Sequence, residues 1–408
     1  MVRGIETMII GGGQAGLSVC YYLSQAGKEH ILVEKADRPA HVWTSDRWDS
    51  FTLVTPNWAF CLPGAQYDGP DPVGFMLRSE VIERFDRYSA QINPPAQFGV
   101  EATAVDPHER GFRVRTSAGE WQARNVVVAT GTQQIPKIPP FSTHLPASMV
   151  QLHTGQYRNP QALPPGAVLI VGSGQSGCQI AEELRQFGRD VYLCVGRAGR
   201  VPRRYRGRDC FSWLAETGYL SRTVANLPNP AMRLMGNPQW SGKDGGHSIN
   251  PHLLYREGVR LLGRLVGFEE GRLVFGPDLK DNLSANDQYE TMIVQMIDDY
   301  IVKNGIDAPE EALPTLRDGY AAPEFLYLDP KEAGITSVIW AMGNGFDFGF
   351  VHAPVFDPMG FPIAPRGISE IPGLFFAGLS WVDTFKAGIL FGVGEIARAI
   401  AEQIVSPA

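Results

Sequence analysis

Three features that define whole classes of protein are scarce in this sequence of 408 residues. The formal net charge is −7, and only the short stretch Arg200–Arg208 is densely basic, which argues against nucleic-acid binding. No apolar run approaches the roughly 18 residues that a membrane-spanning helix needs, and the amino terminus lacks the long apolar segment of a signal peptide. The five cysteines never form a C-x-x-C pair, which favours reduced thiols in a cytoplasmic protein. The sequence therefore predicts no redox dithiol, and it shows no metal-ligand spacing.

Glycine is abundant instead, with 45 residues, and part of this surplus lies in a G-x-G-x-x-G motif near the amino terminus. The apolar segment Thr7–Ile10 predicts a strand that leads into the motif, and a helical pattern follows. Gly11 permits the tight turn, Gly13 lets the backbone approach a pyrophosphate, and Gly16 lets the helix pack closely on the strand. The predicted cofactor-binding residues of this motif are Gly11, Gly13, Gln14, Ala15 and Gly16.

An acidic residue follows at the distance that this kind of motif requires. A second predicted strand, His30–Val33, ends at Glu34, which lies 18 residues past Gly16. A carboxylate at this position accepts hydrogen bonds from the hydroxyls of an unphosphorylated ribose. We therefore expect Glu34 and the adjacent Lys35 to belong to the same dinucleotide site.

The same unit recurs 161 residues later. Ala167–Val171 predicts a strand, a second G-x-G-x-x-G motif and a helical pattern follow, and Val191–Val195 predicts another strand. The acid of the first copy is replaced by Arg197, 20 residues past Gly177. An arginine can pair with a ribose 2′-phosphate, which favours NADP over NAD. The predicted cofactor-binding residues of this second motif are Gly172, Gly174, Gln175, Ser176 and Gly177.

Three further arginines follow Arg197, and two interpretations of them are open. Arg200, Arg203 and Arg204 either add to the phosphate site or form a solvated basic face. Arg204 is taken here as a cofactor-binding candidate. One site suited to an unphosphorylated ribose and one suited to a 2′-phosphate together predict FAD and NADPH as cofactors.

With these two motifs, the chain resembles the class B flavoprotein monooxygenases over essentially its whole length, in particular the flavin-containing and YUCCA-like enzymes and their short bacterial branch. The resemblance implies an α/β fold of two Rossmann-like three-layer dinucleotide-binding domains, with the NADPH domain inserted into the FAD domain. Residues 1–160 and 333–408 would form the two parts of the FAD-binding domain. Residues 161–332 would form the NADPH-binding domain with a helical insertion, whose main helix is predicted at residues 281–303.

The resemblance also implies flavin contacts outside the glycine motifs. They lie beside the isoalloxazine ring, at the adenine, at a linker where the chain leaves the FAD domain, and before the last helix, which is predicted to end near Ile404. The matching residues in this sequence are Val42, Trp43, Arg47, Trp48 and Thr55 at the ring, Val105 at the adenine, Ala129, Thr130 and Gly131 at the linker, and Gly378, Ile389 and Leu390 before the helix.

A linker signature of the family is only half present. His153 and Tyr157 match its second half, whereas Ala147 and Met149 stand where the family has Phe and Gly. In the family a final Tyr or Phe accompanies N- and S-oxygenation and a final Trp accompanies Baeyer–Villiger oxidation. The match therefore favours N- or S-oxygenation, and His153 either contacts the nicotinamide or organises the linker.

These observations predict a monooxygenase that inserts one oxygen atom of O2 into a small organic substrate. Without a dithiol or a metal site, O2 is the electron acceptor that needs no further protein group, and the family uses a flavin hydroperoxide. Asn57 and Thr55 are the catalytic candidates, because they follow the segment expected at the flavin ring. The expected partners are the substrate and O2, without nucleic acid or membrane; a homodimer is compatible with the sequence.

Two other activities remain open at this point. The first is a reductase or oxidase that passes electrons from NADPH through FAD to a quinone or a protein. The second is a flavin-binding redox sensor without turnover. Reduction by NADPH separates the sensor from the enzymes, and reoxidation by O2 separates the two enzymes.

Overall fold

The computed structural model describes residues 3–234 and 236–406, in which two sheets with flanking helices confirm the predicted α/β fold. The first sheet is parallel at its centre, and an antiparallel extension lies along one end of its longest strand. Its seven strands are, in spatial order, Ala96–Phe98, His30–Glu34, Arg3–Ile10, Gly119–Val128, Gly111–Thr116 and Ala102–His108, with Leu374–Phe376 beside the carboxyl end of Gly119–Val128.

The second sheet is parallel throughout its five strands. Every residue of its central strand is buried, as expected for a parallel strand that is covered on both faces. The strands are, in spatial order, Val150–His153, Ile335–Trp340, Ala167–Val171, Val191–Cys194 and Arg260–Leu262. A small antiparallel sheet contains Leu265–Glu269, Arg272–Phe275 and Tyr327–Leu328.

Each glycine motif is followed by a helix, and the predicted strand–motif–helix order is confirmed in both copies. In the described residues the α-helices are α1 (Gln14–Gln25), α2 (His41–Ser45), α3 (Arg78–Ile92), α4 (Gln175–Gln186), α5 (Cys210–Glu216), α6 (Pro251–Arg256), α7 (Leu279–Asn304) and α8 (Val393–Val405). None of these helices combines the length and the apolar character that crossing a membrane requires.

Two strands lie in a different sheet from the one that the predicted boundaries imply. Val150–His153 and Ile335–Trp340 both belong to the second sheet, although residues 1–160 and 333–408 were assigned to the FAD-binding part. They pair side by side next to Ala167–Val171, a long-range pairing that no local pattern reveals. The three-part division stays a prediction. The points where the chain passes from one sheet to the other lie near residues 131–136 and 341–345.

The two chain crossings between the sheets lie next to each other. Ile135–Pro136 pairs antiparallel with Asn344–Gly345. The Gln134 side chain adds hydrogen bonds to Thr130 Oγ1 and to the Gly131 carbonyl. The two linkers therefore form a short two-stranded connection instead of two independent hinges.

The long helix α7 confirms the helix predicted at residues 281–303 and extends it at both ends. Ile293, Ile297 and Ile301 form its buried stripe and pack against the aromatic residues of α5. Met292 of the same helix is 47% exposed. The isoleucine stripe is the face that contributes to a core.

A buried ion pair joins α7 to the basic run. Arg200 contacts Asp287 and Glu290 at 2.7 Å each, and only 7% of its side chain is exposed. Tyr320 and His252 complete the hydrogen bonds of Asp287. Burial raises the pKa of Glu290, and the nearby Arg200 charge opposes that rise. Arg200 is therefore a structural cation within the described residues.

Replacement of Arg200 by methionine tests how much this arginine stabilises the fold by neutralising the two carboxylates. We expect Arg200→Met to lower the free energy of unfolding by about 3–5 kcal/mol, because two buried acids lose their counter-charge. The pKa of Glu290 should then rise further above its unfolded value, so the loss grows as pH rises and is smaller at pH 5 than at pH 8. Thermal melts at both pH values measure this. Arg256→Met, which breaks a solvent-accessible pair with Asp318, is the control and should lower the stability far less. Equal losses for the two variants would contradict the assignment.

Candidate functional site

The turn of the first glycine motif is closed by contacts that only glycine permits. Gly11 has φ +112°, and a Cβ atom there would lie 2.6 Å from the Ala129 carbonyl oxygen. A Cβ atom on Gly16 would lie 1.9 Å from the Gly11 carbonyl oxygen. By contrast, a Cβ atom on Gly13 would meet nothing within 4 Å, so this side of the turn faces open space. The backbone is therefore compact below the turn and accessible above it.

The second motif repeats this geometry closely. Gly172 has φ +110°, and its added Cβ atom would lie 2.5 Å from the Ala341 carbonyl oxygen. The added Cβ atom of Gly177 would lie 1.9 Å from the Gly172 carbonyl oxygen, and that of Gly174 would again meet nothing within 4 Å. The two loops are thus built alike, one against the linker at Ala129 and one against the linker at Ala341.

Both motifs present the amino terminus of a helix to their open side. Gly13 and Gly174 are the residues that precede α1 and α4, and neither helix has a side-chain cap within the described residues. The remaining motif residues, Ala15, Gln175 and Ser176, lie in the first turns of these helices. Free N–H groups and the positive end of the helix dipole favour a phosphate at such a position.

The first loop is also tied to the carboxyl-terminal part of the chain. Gln14 donates a hydrogen bond of 2.8 Å to the Gly388 carbonyl. Gly378 approaches α1 so closely that an added Cβ atom would lie 2.5 Å from Ala15 Cβ. Ile389 and Leu390 continue the segment that starts at Gly388 and precedes α8. The structure therefore brings Gly378 and Gly388 to the first motif, and the flavin contacts of Gly378, Ile389 and Leu390 stay predictions.

Glu34, the residue predicted at the ribose, also fastens the first loop. Its Oε2 accepts a hydrogen bond of 2.6 Å from the Gly12 N–H, and its Oε1 accepts one of 2.8 Å from the Ala36 N–H. Lys35, the residue after this strand, is exposed, and its cofactor contact stays a prediction. The carboxylate of Glu34 is therefore fixed in place, with lone pairs left for a ribose.

In the second loop the equivalent hydrogen bond has its donor at the end of the strand and its acceptor in the loop. The Ser173 hydroxyl accepts a hydrogen bond of 2.9 Å from the Gly196 N–H. Gln239 donates to the Ser173 carbonyl at 2.6 Å and is fully buried. Sequence reasoning missed both residues, since Ser173 occupies an unspecified position of the motif and Gln239 is remote in the chain. Because Ser173 makes this hydrogen bond, Arg197 is not needed to join the strand end to the loop. The Arg197 side chain is exposed.

The other arginines of the basic run do not join a phosphate site. Arg200 is paired with the acids of α7, and Arg203 binds Asp209 and the Val54 carbonyl while 2% exposed. Arg204 donates to the carbonyls of Gly245 and Gly246. The interpretation of Arg200 and Arg203 as additional phosphate ligands is therefore wrong, since internal partners neutralise or occupy them. The cofactor contact of Arg204 stays a prediction.

The segment expected at the isoalloxazine ring divides between two environments. Trp43 stacks on Phe85, and the Arg47 guanidinium lies 5.3 Å from the Trp43 ring centroid. Burial lowers the pKa of Arg47, and Asp46 opposes this shift. Trp48 instead is buried in the core of the second sheet, so it lines no open site. Val42 lies on α2 and is partly exposed.

Asn57 braces a neighbouring loop. Its Nδ2 donates to the Asp71 carbonyl at 2.8 Å, and its Oδ1 accepts from the Met76 N–H at 2.7 Å. The side chain is 5% exposed, whereas Thr55 is partly exposed. These contacts give Asn57 a structural task, and the catalytic roles of Asn57 and Thr55 stay predictions.

The strand position predicted at the adenine is paired with a neighbouring segment. The Val105 N–H donates to the Phe350 carbonyl, and the Val105 carbonyl accepts from the His352 N–H. Five residues earlier, the Val100 N–H donates to the Glu34 carbonyl at 2.9 Å. The adenine contact of Val105 stays a prediction.

The residues that match the second half of the linker signature connect the two segments in which the chain passes between the sheets. The His153 ring accepts a hydrogen bond from the Gly155 N–H and donates one from Nε2 to the Gly343 carbonyl. Burial lowers the pKa of His153, which favours the neutral ring that this arrangement needs. Tyr157 is buried and donates to Glu183 on α4 at 2.6 Å. Of the two roles left open for His153, the contacts favour organisation of the linker.

Known proteins resemble this chain in both sequence and fold. A family model described as pyridine nucleotide-disulphide oxidoreductase matches residues 8–207. The uncharacterized CzcO-like oxidoreductase of Geobacillus kaustophilus is 30% identical over 404 residues, covering 98% of this chain and 99% of that protein. The chain belongs to the CzcO-like oxidoreductases. YUCCA1 of Oryza sativa subsp. japonica, an indole-3-pyruvate monooxygenase, is 29% identical over 209 residues, or 50% of this chain and 51% of that protein.

A solved structure extends the comparison to the fold. The flavin-containing monooxygenase of Stenotrophomonas maltophilia has a TM-score of 0.65 at 19% identity, covering 99% of this chain and 98% of that one. The protein is thus an oxidoreductase with the fold of this flavin-containing monooxygenase, and FAD and NADPH stay its predicted cofactors. The residues present fit both groups, because each loop leaves open space above Gly13 or Gly174 and an uncapped helix amino terminus beside it.

The matched glycines allow the two loops to be tested separately. In Gly16→Ala and in Gly177→Ala the new methyl group meets a backbone carbonyl at the same distance, 1.9 Å. We expect Gly16→Ala to be isolated with little flavin, because the helix must move away from the first loop. Gly177→Ala should keep its flavin and lose its reduction by NADPH. The ratio of visible to ultraviolet absorbance and anaerobic bleaching by NADPH measure these outcomes.

A third glycine variant controls for the substitution itself. Gly4→Ala, where an added Cβ atom meets nothing within 4 Å, should behave as the wild type. If Gly16→Ala retained flavin and lost only the response to NADPH, the assignment of the two loops would be reversed.

Proposed function

We propose that this enzyme is an NADPH-dependent monooxygenase that transfers one oxygen atom from O2 to the nitrogen or sulfur of a small organic substrate. The observation that carries the proposal is the duplicated loop, with Glu34 at the ribose position of one copy and Arg197 at that of the other. The second loop would hold the nicotinamide dinucleotide that supplies electrons, and the first loop would hold the flavin dinucleotide. When bound, FAD supplies the redox chemistry, taking electrons from NADPH and passing them to O2.

The cysteines support an electron acceptor from outside the protein. Cys20, Cys178, Cys194 and Cys210 are buried, and none of the five cysteines forms a disulfide. Burial raises the pKa of each of these four thiols, which keeps them in the unreactive protonated form. A protein dithiol therefore does not take the electrons, although the matching family model is described from disulphide oxidoreductases.

The protein's part in this proposal is binding, orientation and exclusion of water. The uncapped ends of α1 and α4 bind the two pyrophosphates, and Glu34 orients the ribose of FAD. The paired linkers, joined by His153 to Gly343, hold the two loops in a fixed relation. Tyr157 at the end of the linker signature supports N- or S-oxygenation through the family resemblance.

Preference for NADPH is the part of this proposal that a single substitution tests. We expect Arg197→Ala to raise the KM for NADPH about 10- to 100-fold, the effect of losing charge-assisted hydrogen bonds to a phosphate. The KM for NADH should change little, because NADH lacks the 2′-phosphate. Steady-state kinetics with both nucleotides measure the two values. Arg256→Ala, which removes an arginine that pairs with Asp318 and has no proposed cofactor contact, is the control and should change neither value.

The oxygenase activity is tested by rapid mixing of the reduced enzyme with O2. After anaerobic reduction by NADPH, we expect a transient absorbance in the violet before the oxidised flavin spectrum returns, and an oxygenated product with an amine or a sulfide. Enzyme reduced by dithionite without NADP⁺ should reoxidise faster, because the bound nucleotide no longer excludes water. Immediate reoxidation with peroxide and no oxygenated product would instead favour the reductase or oxidase. Failure of NADPH to reduce the flavin would favour the sensor.

A further inference from the structure

The amino-terminal half of α7 covers the turn that carries Arg197. Asn282 donates from Nδ2 to the Val195 carbonyl at 2.9 Å, and Asn286 donates from Nδ2 to the Gly196 carbonyl at 3.4 Å. Both asparagines are fully buried. Because they are four residues apart on one helix face, they bind consecutive carbonyls of the same turn.

The next residue of this face explains why the turn contains a glycine. Tyr289 lies against Gly199 so closely that an added Cβ atom there would come within 2.2 Å of its ring. Asparagine is a poor helix former, and two buried asparagines in a helix need a polar partner. The 195–199 turn is that partner, so the helical insertion is built onto the second dinucleotide loop.

Asn282 also contacts the arginine itself. Its Oδ1 accepts a hydrogen bond of 3.4 Å from Arg197 Nε. Within the described residues, the two terminal nitrogens of Arg197 have no hydrogen-bond or ion-pair partner. A guanidinium held through Nε keeps both terminal nitrogens for a planar, two-bond contact with a phosphate. In the same part of the chain, Asn286 makes no hydrogen bond to Arg197, although it binds the same turn.

We infer that Asn282 is a positioning residue that holds the Arg197 guanidinium for the 2′-phosphate of NADPH, so that the helical insertion sets nucleotide selectivity. This inference rests on the proposed role of Arg197 and adds a residue that is 85 positions away in the sequence. The bond to Val195 fixes the amide, and the bond to Nε fixes the plane of the guanidinium. Loss of the amide should leave Arg197 charged but free to rotate.

The test compares the binding of two redox-inactive probes to the FAD-loaded enzyme. Adenosine 2′,5′-bisphosphate carries the 2′-phosphate, and AMP lacks it. We expect Asn282→Ala to weaken binding of the bisphosphate about tenfold, a loss typical of hydrogen bonds to charged groups, with AMP nearly unchanged. Isothermal titration calorimetry measures both affinities, and the flavin spectrum of each variant reports that the holoenzyme is intact.

Asn286→Ala is the matched control on the same helix face. It removes one bond to the turn without touching Arg197, so it should change the two affinities by the same factor. If Asn286→Ala altered the ratio of the affinities as much as Asn282→Ala, the effect would come from the turn as a whole, and the inference would be wrong.

A double-variant comparison separates this inference from the proposed function. In the Arg197→Ala background, Asn282→Ala should have no further effect on the bisphosphate, because the group that it positions is gone. Additive losses would overturn the positioning role while leaving the role of Arg197 intact. If Arg197→Ala weakened the binding of both probes equally, the proposed phosphate contact would be wrong. The inference, which depends on that contact, would then be wrong as well.

Discussion

Close approach of backbone to backbone at the two glycine motifs is the constraint on which the rest of this structure depends. The helix after each motif can lie on the preceding turn only because Gly16 and Gly177 have no side chain. The same turns lie against Ala129 and Ala341, where the chain passes between the two sheets. Cofactor binding and the connection of the two sheets therefore share one steric requirement, and they are built twice from the same local sequence.

The second sheet gains its full width from strands that are distant in sequence. Val150–His153 and Ile335–Trp340 complete it, and the linker that precedes the first strand pairs with the linker that follows the second. His153 and Tyr157 then connect this linker region to Gly343 and Glu183. The relation between the two dinucleotide loops is consequently defined by hydrogen bonds along one short ribbon, supported by buried side chains.

Sequence patterns predicted the parts of the site whose geometry is local. The glycine motifs, Glu34 and the long helix α7 follow from spacing and periodicity, and the structure shows them where expected. Arg200 and Arg203 could not be assigned in this way, because their environment is set by partners that the fold brings to them: the acids of α7 for Arg200 and the Val54 carbonyl for Arg203. Trp48 is a similar case, since its burial in the second core depends on packing between distant segments.

The opposite direction of the two loop-to-strand hydrogen bonds bears on how cofactor preference can change in such a duplicated fold. In the first copy the strand-end side chain, Glu34, binds the loop, whereas in the second copy the loop side chain, Ser173, binds the strand end. Exchange of Glu34 for a basic residue would therefore remove the proposed ribose contact and a loop bond together. In the second copy Ser173, and not Arg197, makes the bond between loop and strand end. Substitutions of Arg197 therefore leave the loop joined to the strand. The second site is thus the one in which nucleotide preference can drift during evolution, or be redesigned, by single substitutions.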